Sequence, residues 1–355
     1  MTSSDQTRKK VESPDGLPVV QPTRSRVDTT LEYADRTPDE VIAEVPPLYG
    51  QATVEKIATN TVLAGCEPEY LPVVIAAVEA MTKDEFNLYG ILSTTHPVWP
   101  VVMVNGPLAE ELEVNYGVNA MGQGFKANAT IGRAVTMVCM NIGGAVPGQS
   151  DDATIGGPQK FGLCWAENES QNPWDPLHVE CGFDPNTSTV TIFGAEAPHN
   201  VNDHVSRDAA SVLTTIADTM ATVGNNDLYF NEDAHPHLNL GPEHAEVIAE
   251  DGWSKQDVKR YIYDQARVPK YLFEGHGMDF NYGDDVGDKP WPTHFNVDTP
   301  HQMIGMCPSP ENVIVTVSGG PGRHSTILPT FGDTAAQTVP ITLEDGTPVS
   351  SVEEF

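Results

Sequence analysis

The pattern of apolar and polar positions predicts helices in the first third of the chain. Residues 54–65, VEKIATNTVLAG, repeat apolar positions at helical spacing and end in a glycine. Residues 68–81, PEYLPVVIAAVEAM, are apolar almost throughout, and Pro68 suits the first turn of a helix. The pattern therefore predicts two consecutive helices joined by a tight link that contains Cys66.

The same pattern predicts strands and further helices along the rest of the chain. Apolar runs bounded by turn residues predict strands in WPVVMVNGP (99–107), STVTIFG (around 189–193) and NVIVTV (312–317). Helical spacing predicts helices in ATIGRAVTMVCMNIGG, with Asn128 as N-cap, and in SRDAASVLTTIADTMATVG, GPEHAEVIAEDG and WSKQDVKRYIYDQARVP. Helices that alternate with short β-branched runs indicate an α/β fold with a mixed or mainly parallel sheet flanked by helices.

Chain length bears on the number of domains. The chain has 355 residues, more than the roughly 250 to 300 at which a single core usually stops growing. One body and two α/β lobes are therefore both open, with a lobe boundary near residues 150–185. Residues 1–40 mix charge, Ser, Thr and Pro and are predicted to form a disordered or extended arm. The α/β region is predicted to cover 41–331, and 332–355 to form a C-terminal tail.

Charge narrows the classes of partner. The chain carries 50 acidic against 19 basic residues, a formal net charge of −31, which disfavours nucleic acid and anionic membrane surfaces. An acidic excess of this kind is typical of a halophilic protein, with an ordinary acidic cytosolic protein as the alternative. Five cysteines without CxxC spacing favour reduced thiols and a cytoplasmic location. No apolar stretch is long enough to span a bilayer, so no membrane role is expected.

A glycine-rich segment between Asn105 and Ala134, NGP…NYGVNAMGQGFKANATIGRA, is the first candidate for chemistry. A glycine-rich loop that leads into a helix start offers free N–H groups and the positive end of the helix dipole to an anion. Lys126 and Arg133 favour the same function. The predicted substrate-binding residues here are Asn105, Lys126, Asn128 and Arg133. The alternative is a tight turn with Arg133 in a surface ion pair.

A second glycine-rich segment, SGGPGRHST at 318–326, follows the predicted strand VIVTV. Ligands bind at the carboxyl ends of strands in open α/β sheets, so this position favours a binding loop. The predicted substrate-binding residues here are Gly319, Gly320, Gly322 and Arg323, and the predicted catalytic residues are His324 and Ser325. The alternative is a simple loop stiffened by Pro321.

Two residues elsewhere are candidates for catalysis. Cys66 lies beside a predicted helix start, where the dipole favours the thiolate, although Glu67 and Glu69 act in the opposite direction. A small residue packed under a helix corner is the alternative for Cys66. His96 precedes a proline in a turn before a strand and is a candidate general base, with a solvated or capping histidine as the alternative.

Three histidines in DAHPHLNLGPEHA offer an alternative metal site. His235, His237 and His244 lie within ten residues and are of the type that binds zinc or iron. The intervening Pro236 indicates an extended loop. The chain contains no GxSxG, HExxH, Walker A, DFG or HRD motif, which disfavours the standard hydrolase, metalloprotease and kinase classes.

The chain resembles an uncharacterised family of bacterial and archaeal proteins in IATNTVLAGCEPEYLPVVIAAVEAM, VNGP, GQGFKANATIGRA, NIGGAVPG and VIVTVSGGPGRHS. The resemblance covers about residues 54–331. Members are fused to, or encoded beside, a small redox domain with a selenocysteine-Gly-Ser-Cys (UGSC) or Cys-Gly-Ser-Cys motif, similar to a glycine-reductase selenoprotein component. No Gly-Ser-Cys triplet occurs here. The resemblance therefore implies a separate UGSC or CGSC redox protein as partner.

The leading hypothesis is an enzyme, or the larger subunit of one, that holds a small anionic substrate between the two glycine-rich segments. In it, Cys66 is the redox or nucleophilic thiol, and His96 or His324 carries the proton. Two alternatives stay open, a metal-assisted hydrolase or lyase and a non-catalytic binding or scaffold subunit. The sequence identifies no substrate and no cofactor, and it leaves a homo-oligomer open.

Overall fold

The protein has an α/β fold in which helices pack on mixed sheets. The computed structural model describes residues 13–229, 233–269, 271–274 and 303–355. The helices in these residues are α1 Arg24–Leu31, α2 Val54–Ala64, α3 Leu71–Met81, α4 Leu88–Ser93, α5 Pro107–Glu111, α6 Lys126–Asn141, α7 Leu177–Glu180, α8 Ala209–Met220, α9 Asn226–Tyr229, α10 Pro242–Glu250, α11 Lys255–Gln265 and α12 Tyr271–Glu274. The strands are β1 Val41–Val45, β2 Gly50–Thr53, β3 Trp99–Asn105, β4 Cys164–Ala166, β5 Thr189–Ala195, β6 His199–Asn202, β7 His237–Leu240, β8 Arg267–Pro269, β9 Met303–Gly305, β10 Ile314–Val317, β11 His324–Leu328 and β12 Gln337–Pro340. None of the helices in these ranges is long and apolar enough to cross a membrane.

The first four-stranded sheet has the order β12-β5-β3-β4, and its two central strands are buried on both faces. β3 runs parallel to β4 and antiparallel to β5, which in turn pairs antiparallel with β12. Every residue of β3 and of β5 is buried. Continuous apolar runs of this kind suit a central strand covered from both sides. Helices α2, α3 and α6 form the core on one side of this sheet.

The second four-stranded sheet has the order β10-β7-β11-β6 and differs in having one apolar and one polar face. β10 and β7 are parallel, whereas β11 is antiparallel to both β7 and β6. The apolar face packs against α8, α10 and α11. Because side chains alternate along a strand, the sequence HLNL of β7 places Leu238 and Leu240 on that face and His237 and Asn239 on the other.

Buried side chains join the two sheets. The ring of His237 stacks on Phe193 of the first sheet, with 4.4 Å between ring centroids, and lies 6.0 Å from Trp165. Glu167, just after β4, accepts hydrogen bonds from the backbone N–H of Val317 at 3.3 Å and of Leu177 at 2.9 Å. The chain changes sheets between β5 and β6, after the interval 150–185 in which a lobe boundary is predicted, and β12 returns to the first sheet.

Both terminal segments differ from the predicted arm and tail where the structure describes them. Helix α1 buries Val27 and Thr30 against α2, because its few apolar positions meet an apolar helix face. Residues 24–31 are therefore helical rather than disordered or extended, and residues 1–12 lie outside the described residues. In the C-terminal segment, β12 pairs with β5 and buries Val339.

Several predicted elements are confirmed, and one cap is wrong. Gly65, with φ of 91°, ends α2, and Ser254 forms the predicted capping box with Asp257 at the start of α11. Helix α6 begins three residues earlier than expected, with Phe125 as its N-cap. Asn128 is therefore not the N-cap, because its side chain is used to hold the preceding loop.

Candidate functional site

A cavity of about 600 Å³ lies over the polar face of the second sheet. Two loops, taken from the two glycine-rich segments, form its walls: residues 118–122 and residues 318–322. The floor comes from polar side chains of β6, β7 and β11. The lining residues are Val118, Asn119, Ala120, Met121, Gly122, Asn200, Asn239, Gly241, Ser318, Gly319, Gly320, Pro321, Gly322, His324, Ser325 and Thr326.

The glycines explain how the two loops meet. A Cβ on Gly320 would lie 2.4 Å from Cγ2 of Val118, so only glycine permits this approach. Gly319, with φ of 111°, donates its N–H to the carbonyl of Tyr116 at 2.8 Å. The structure thus brings the second predicted segment against the loop that precedes α6, and not against the start of α6 itself.

The two predicted asparagines position other groups and do not line the cavity. Asn128 is buried, accepts the N–H of Asn115 at 2.8 Å, and donates to the carbonyls of Asn115 and Ala120, both at 3.0 Å. These bonds fix the loop 118–122. Asn105 is also buried, and its amide donates to the carboxylates of Glu167 at 2.8 Å and Glu169 at 3.0 Å.

Lys126 lies outside the cavity. Its exposed ammonium pairs with Glu67, and it lines a separate cavity of about 650 Å³. That second cavity also carries Glu110 and Glu113, whose carboxylates repel an anion. The start of α6 is therefore a poor seat for an anion.

The two predicted arginines are bound to protein groups away from the cavity lining. Arg133 pairs with Asp15 at 2.7 Å and donates to the carbonyl of Pro18 at 2.9 Å, so it anchors the N-terminal segment. Arg323 donates to the carbonyl of Ser206 at 2.6 Å and lies 3.7 Å from Glu243. Each of these two guanidinium groups is therefore paired with a carboxylate and a backbone carbonyl. The structure therefore does not bring Lys126, Arg133 and Arg323 together with the glycines around one anion.

Asn239 on β7 presents a hydrogen-bond donor to the cavity. Its Oδ1 accepts the hydroxyls of Thr316 at 2.9 Å and Ser318 at 3.0 Å. Since the hydroxyl hydrogen of Thr316 is used, His237 must donate Nε2–H to Thr316 Oγ1, at 2.7 Å. Burial lowers the pKa of His237 to about 3, so this imidazole is neutral. These hydrogen bonds fix the orientation of the Asn239 amide and leave its Nδ2 without a partner among the described residues.

Asn200 on β6 is used in the same way. Its Oδ1 accepts Nδ1–H of His324 at 2.9 Å, which leaves its Nδ2 group as a donor. Within the described part of the chain, no protein partner exists for Nδ2 of Asn200 or Asn239, for the hydroxyl of Thr326 or for the N–H of Gly320. All four residues line the cavity. The floor of the cavity therefore presents neutral donors, whereas Asn119 on the wall has the opposite arrangement, because its Nδ2 donates to the carbonyl of Gln123 at 2.7 Å.

Ser325 is among the lining residues, but its hydroxyl lies on the opposite face of the sheet. Ser325 Oγ accepts the N–H of Gly241 at 3.1 Å and donates to Nδ1 of His244 at 2.7 Å. His244 in turn donates Nε2–H to the carbonyl of Asp203 at 3.0 Å, and burial lowers its pKa. Every group in this series of hydrogen bonds is satisfied. Ser325, predicted as catalytic, instead positions the start of α10 against β11.

Cys66 and His96 lie outside the lining of the cavity. Burial raises the pKa of the Cys66 thiol to about 12, which disfavours the thiolate at neutral pH. Cys66 packs against the apolar core between the first sheet and helices α2, α3 and α6, which explains this burial. His96 Nε2 lies 2.7 Å from the Glu196 carboxylate, and its ring stacks on Phe331 at 5.7 Å.

The three histidines of the alternative metal site have separate environments. His237 lies on β7 facing the first sheet, whereas His244 lies on α10 behind the second sheet. Burial lowers the pKa of His235. Across residues 13–229, 233–269, 271–274 and 303–355, no three His, Cys, Asp or Glu side chains are placed to hold a metal together.

Sequence reasoning missed Asn200, Asn239 and Thr326. The period-two alternation of HLNL was the available signal for Asn239, because polar residues alternate there with Leu. Comparison with family models and with curated proteins finds no match to this chain.

Proposed function

We propose that the protein binds a small organic acid in the cavity between the two glycine-rich loops, as an enzyme or as the substrate-binding subunit of one. One observation carries the proposal: the two asparagines on the sheet, Asn200 and Asn239, use Oδ1 on protein neighbours and keep Nδ2 for the cavity. A carboxylate accepts hydrogen bonds and donates none when ionised, so it complements this arrangement.

Neutral donors are sufficient to hold such a ligand. A hydrogen bond to a charged group stabilises by about 1.5–3 kcal/mol, so a few fixed N–H and O–H groups replace a paired cation. The side chains of Val118, Ala120 and Met121 add apolar surface to one wall. A volume of about 600 Å³ has room for a carboxylate with an apolar body. Monocarboxylates with a hydrocarbon part fit both features.

His324 is the acid–base group of this cavity. Its Nδ1–H is bound to Asn200, which leaves Nε2 as the atom that accepts or returns a proton. No cysteine is among the described residues that line the cavity. In the redox form of the proposal, which the resemblance to UGSC-associated proteins implies, a thiol or selenol on a separate polypeptide supplies the electrons.

The test compares Asn239→Asp with the unmodified protein in calorimetric titrations with butanoate and benzoate. The introduced carboxylate keeps the contacts to Thr316 and Ser318 but replaces the donor by an anion, so we expect binding to weaken at least tenfold, about 1.4 kcal/mol. Gln51→Glu, an exposed change on β2, adds the same charge outside the cavity and should leave binding unchanged. Equal dissociation constants for Asn239→Asp and the unmodified protein would refute the proposal.

A further inference from the structure

His324, which lines the cavity, faces His204 through the same ring nitrogen. Nε2 of His204 lies 3.3 Å from Nε2 of His324, and the two rings are nearly perpendicular, at 79°. Both residues are exposed, so an ion can reach them. We propose that this pair binds a divalent transition-metal ion such as Zn²⁺ or Cu²⁺.

The separation of the two nitrogens agrees with shared coordination. Zinc binds imidazole nitrogen at about 2.0–2.1 Å in tetrahedral geometry, which places two such nitrogens about 3.3–3.4 Å apart. The observed distance of 3.3 Å falls at this value. Without an ion, two lone pairs at this distance repel, and one nitrogen must carry a proton to bond the other.

Asn200 prepares His324 as a ligand. Because Asn200 Oδ1 can only accept, it fixes the imidazole proton of His324 on Nδ1, at 2.9 Å, and leaves the Nε2 lone pair free. Metal-binding histidines commonly donate their other ring N–H to an oxygen in this way. The tautomer that a metal requires is therefore already present in His324. A bound ion occupies the Nε2 lone pair that accepts a proton in the ion-free protein, so the two roles of His324 exclude each other.

A rigid turn holds His204. The carboxylate of Asp203 accepts the N–H groups of Val205 at 3.0 Å and Ser206 at 2.9 Å. The guanidinium of Arg207 donates to the carbonyl of His204 at 3.1 Å. These bonds fix the backbone on both sides of His204, so little chain entropy is lost when an ion binds.

Two protein ligands leave the remaining positions of the ion open to water or to a carboxylate in the cavity. The net charge of −31 raises the local concentration of cations around the molecule. For a two-histidine site, affinity is expected to follow the order in which Cu²⁺ exceeds Zn²⁺.

The experiment titrates ZnCl₂ into the full-length chain, freed of metal with a chelator, and into His204→Ala, His324→Ala and His199→Ala. His199 is exposed on the neighbouring strand β6 and serves as the matched control. We expect a one-to-one site that weakens at least tenfold in His204→Ala and in His324→Ala and is unchanged in His199→Ala. Asn200→Leu should also weaken it, by about tenfold or more. Retention of the site in either His204→Ala or His324→Ala would overturn the proposal, and circular dichroism checks that each variant is folded.

Discussion

The two faces of the second sheet carry similar polar residues and use them in opposite ways. On the face toward α10, Ser325 and His244 form a closed series of hydrogen bonds in which every donor and acceptor is satisfied. On the face toward the cavity, Asn200, Asn239 and Thr326 keep donors that no described residue uses. The difference separates residues that hold the fold from residues that can bind a ligand, and charge alone does not make that distinction.

The largest expected effect is on stability and comes from replacing Gly241, where α10 begins close to β11. Gly241→Ala places a Cβ 2.0 Å from the carbonyl oxygen of His324, although the φ of −69° is itself acceptable for alanine. Because the obstacle is backbone, α10 or β11 must shift, and we expect the free energy of unfolding to fall by about 3 kcal/mol. Chemical denaturation measures it.

Gly117→Ala is the control for that change. Its Cβ would meet only Oδ1 of Asn115, at an ordinary 3.6 Å, so we expect a change within about 0.5 kcal/mol. If both variants lose the same stability, the close contact of α10 with β11 is not what Gly241 provides.

Neighbouring residues of β11 should respond differently to loss of a hydroxyl. Ser325→Ala leaves the N–H of Gly241 and Nδ1 of His244 unpaired inside the protein, at an expected cost of about 1–3 kcal/mol. Thr326→Val removes a hydroxyl that faces the cavity and should cost less than about 0.5 kcal/mol. Denaturation of the two variants side by side provides the measurement, and a larger loss for Thr326→Val would reverse the assignment of the faces.

The pH dependence of stability tests the buried imidazole of His237. Its pKa is lowered from 6.5 to about 3 by burial, so between these values the unfolded chain binds a proton that the folded chain does not. Above pH 6.5 the neutral His237 costs no stability. Below pH 6.5 it lowers the free energy of unfolding by about 1.4 kcal/mol per pH unit. His237→Gln lacks this imidazole, so the unfolding free energy of the variant should fall less steeply between pH 6.5 and about pH 5. Parallel pH profiles for the two proteins would contradict this.

The smallest expected effect is that of salt on ligand binding. Salt screens attraction between an anion and a cationic clamp, and it also screens the repulsion from an acidic protein. With neutral donors and a net charge of −31, we expect benzoate affinity to stay within about twofold, or to rise, as NaCl increases. Calorimetric titration at low and high NaCl measures this, and a steep loss of affinity would indicate a clamp built on Arg or Lys.

Local signals predicted the helices well. Periodicity and caps are properties of neighbouring residues, so α2, α3 and the Ser254–Asp257 capping box were accessible from the sequence. The strands β7 and β11 were not predicted, because both are short and their polar residues resemble loop composition.

The partners of the charged groups depend on the tertiary fold. Arg133 pairs with Asp15, 118 positions away, and nothing in the local sequence indicates this contact. The sequence pairs the glycines of 318–322 with the start of α6, whereas the structure brings them against residues 118–122, and the cations placed beside them bind elsewhere.

The central claim is that neutral donors, and not cations, hold the ligand. Its most direct test is a titration of ¹⁵N-labelled, deuterated protein with benzoate, followed by nuclear magnetic resonance. We expect the backbone N–H of Gly320 and the side-chain amides of Asn200 and Asn239 to shift together with one dissociation constant. Shifts centred on Arg133 or Arg323, with Gly320 unchanged, would contradict it.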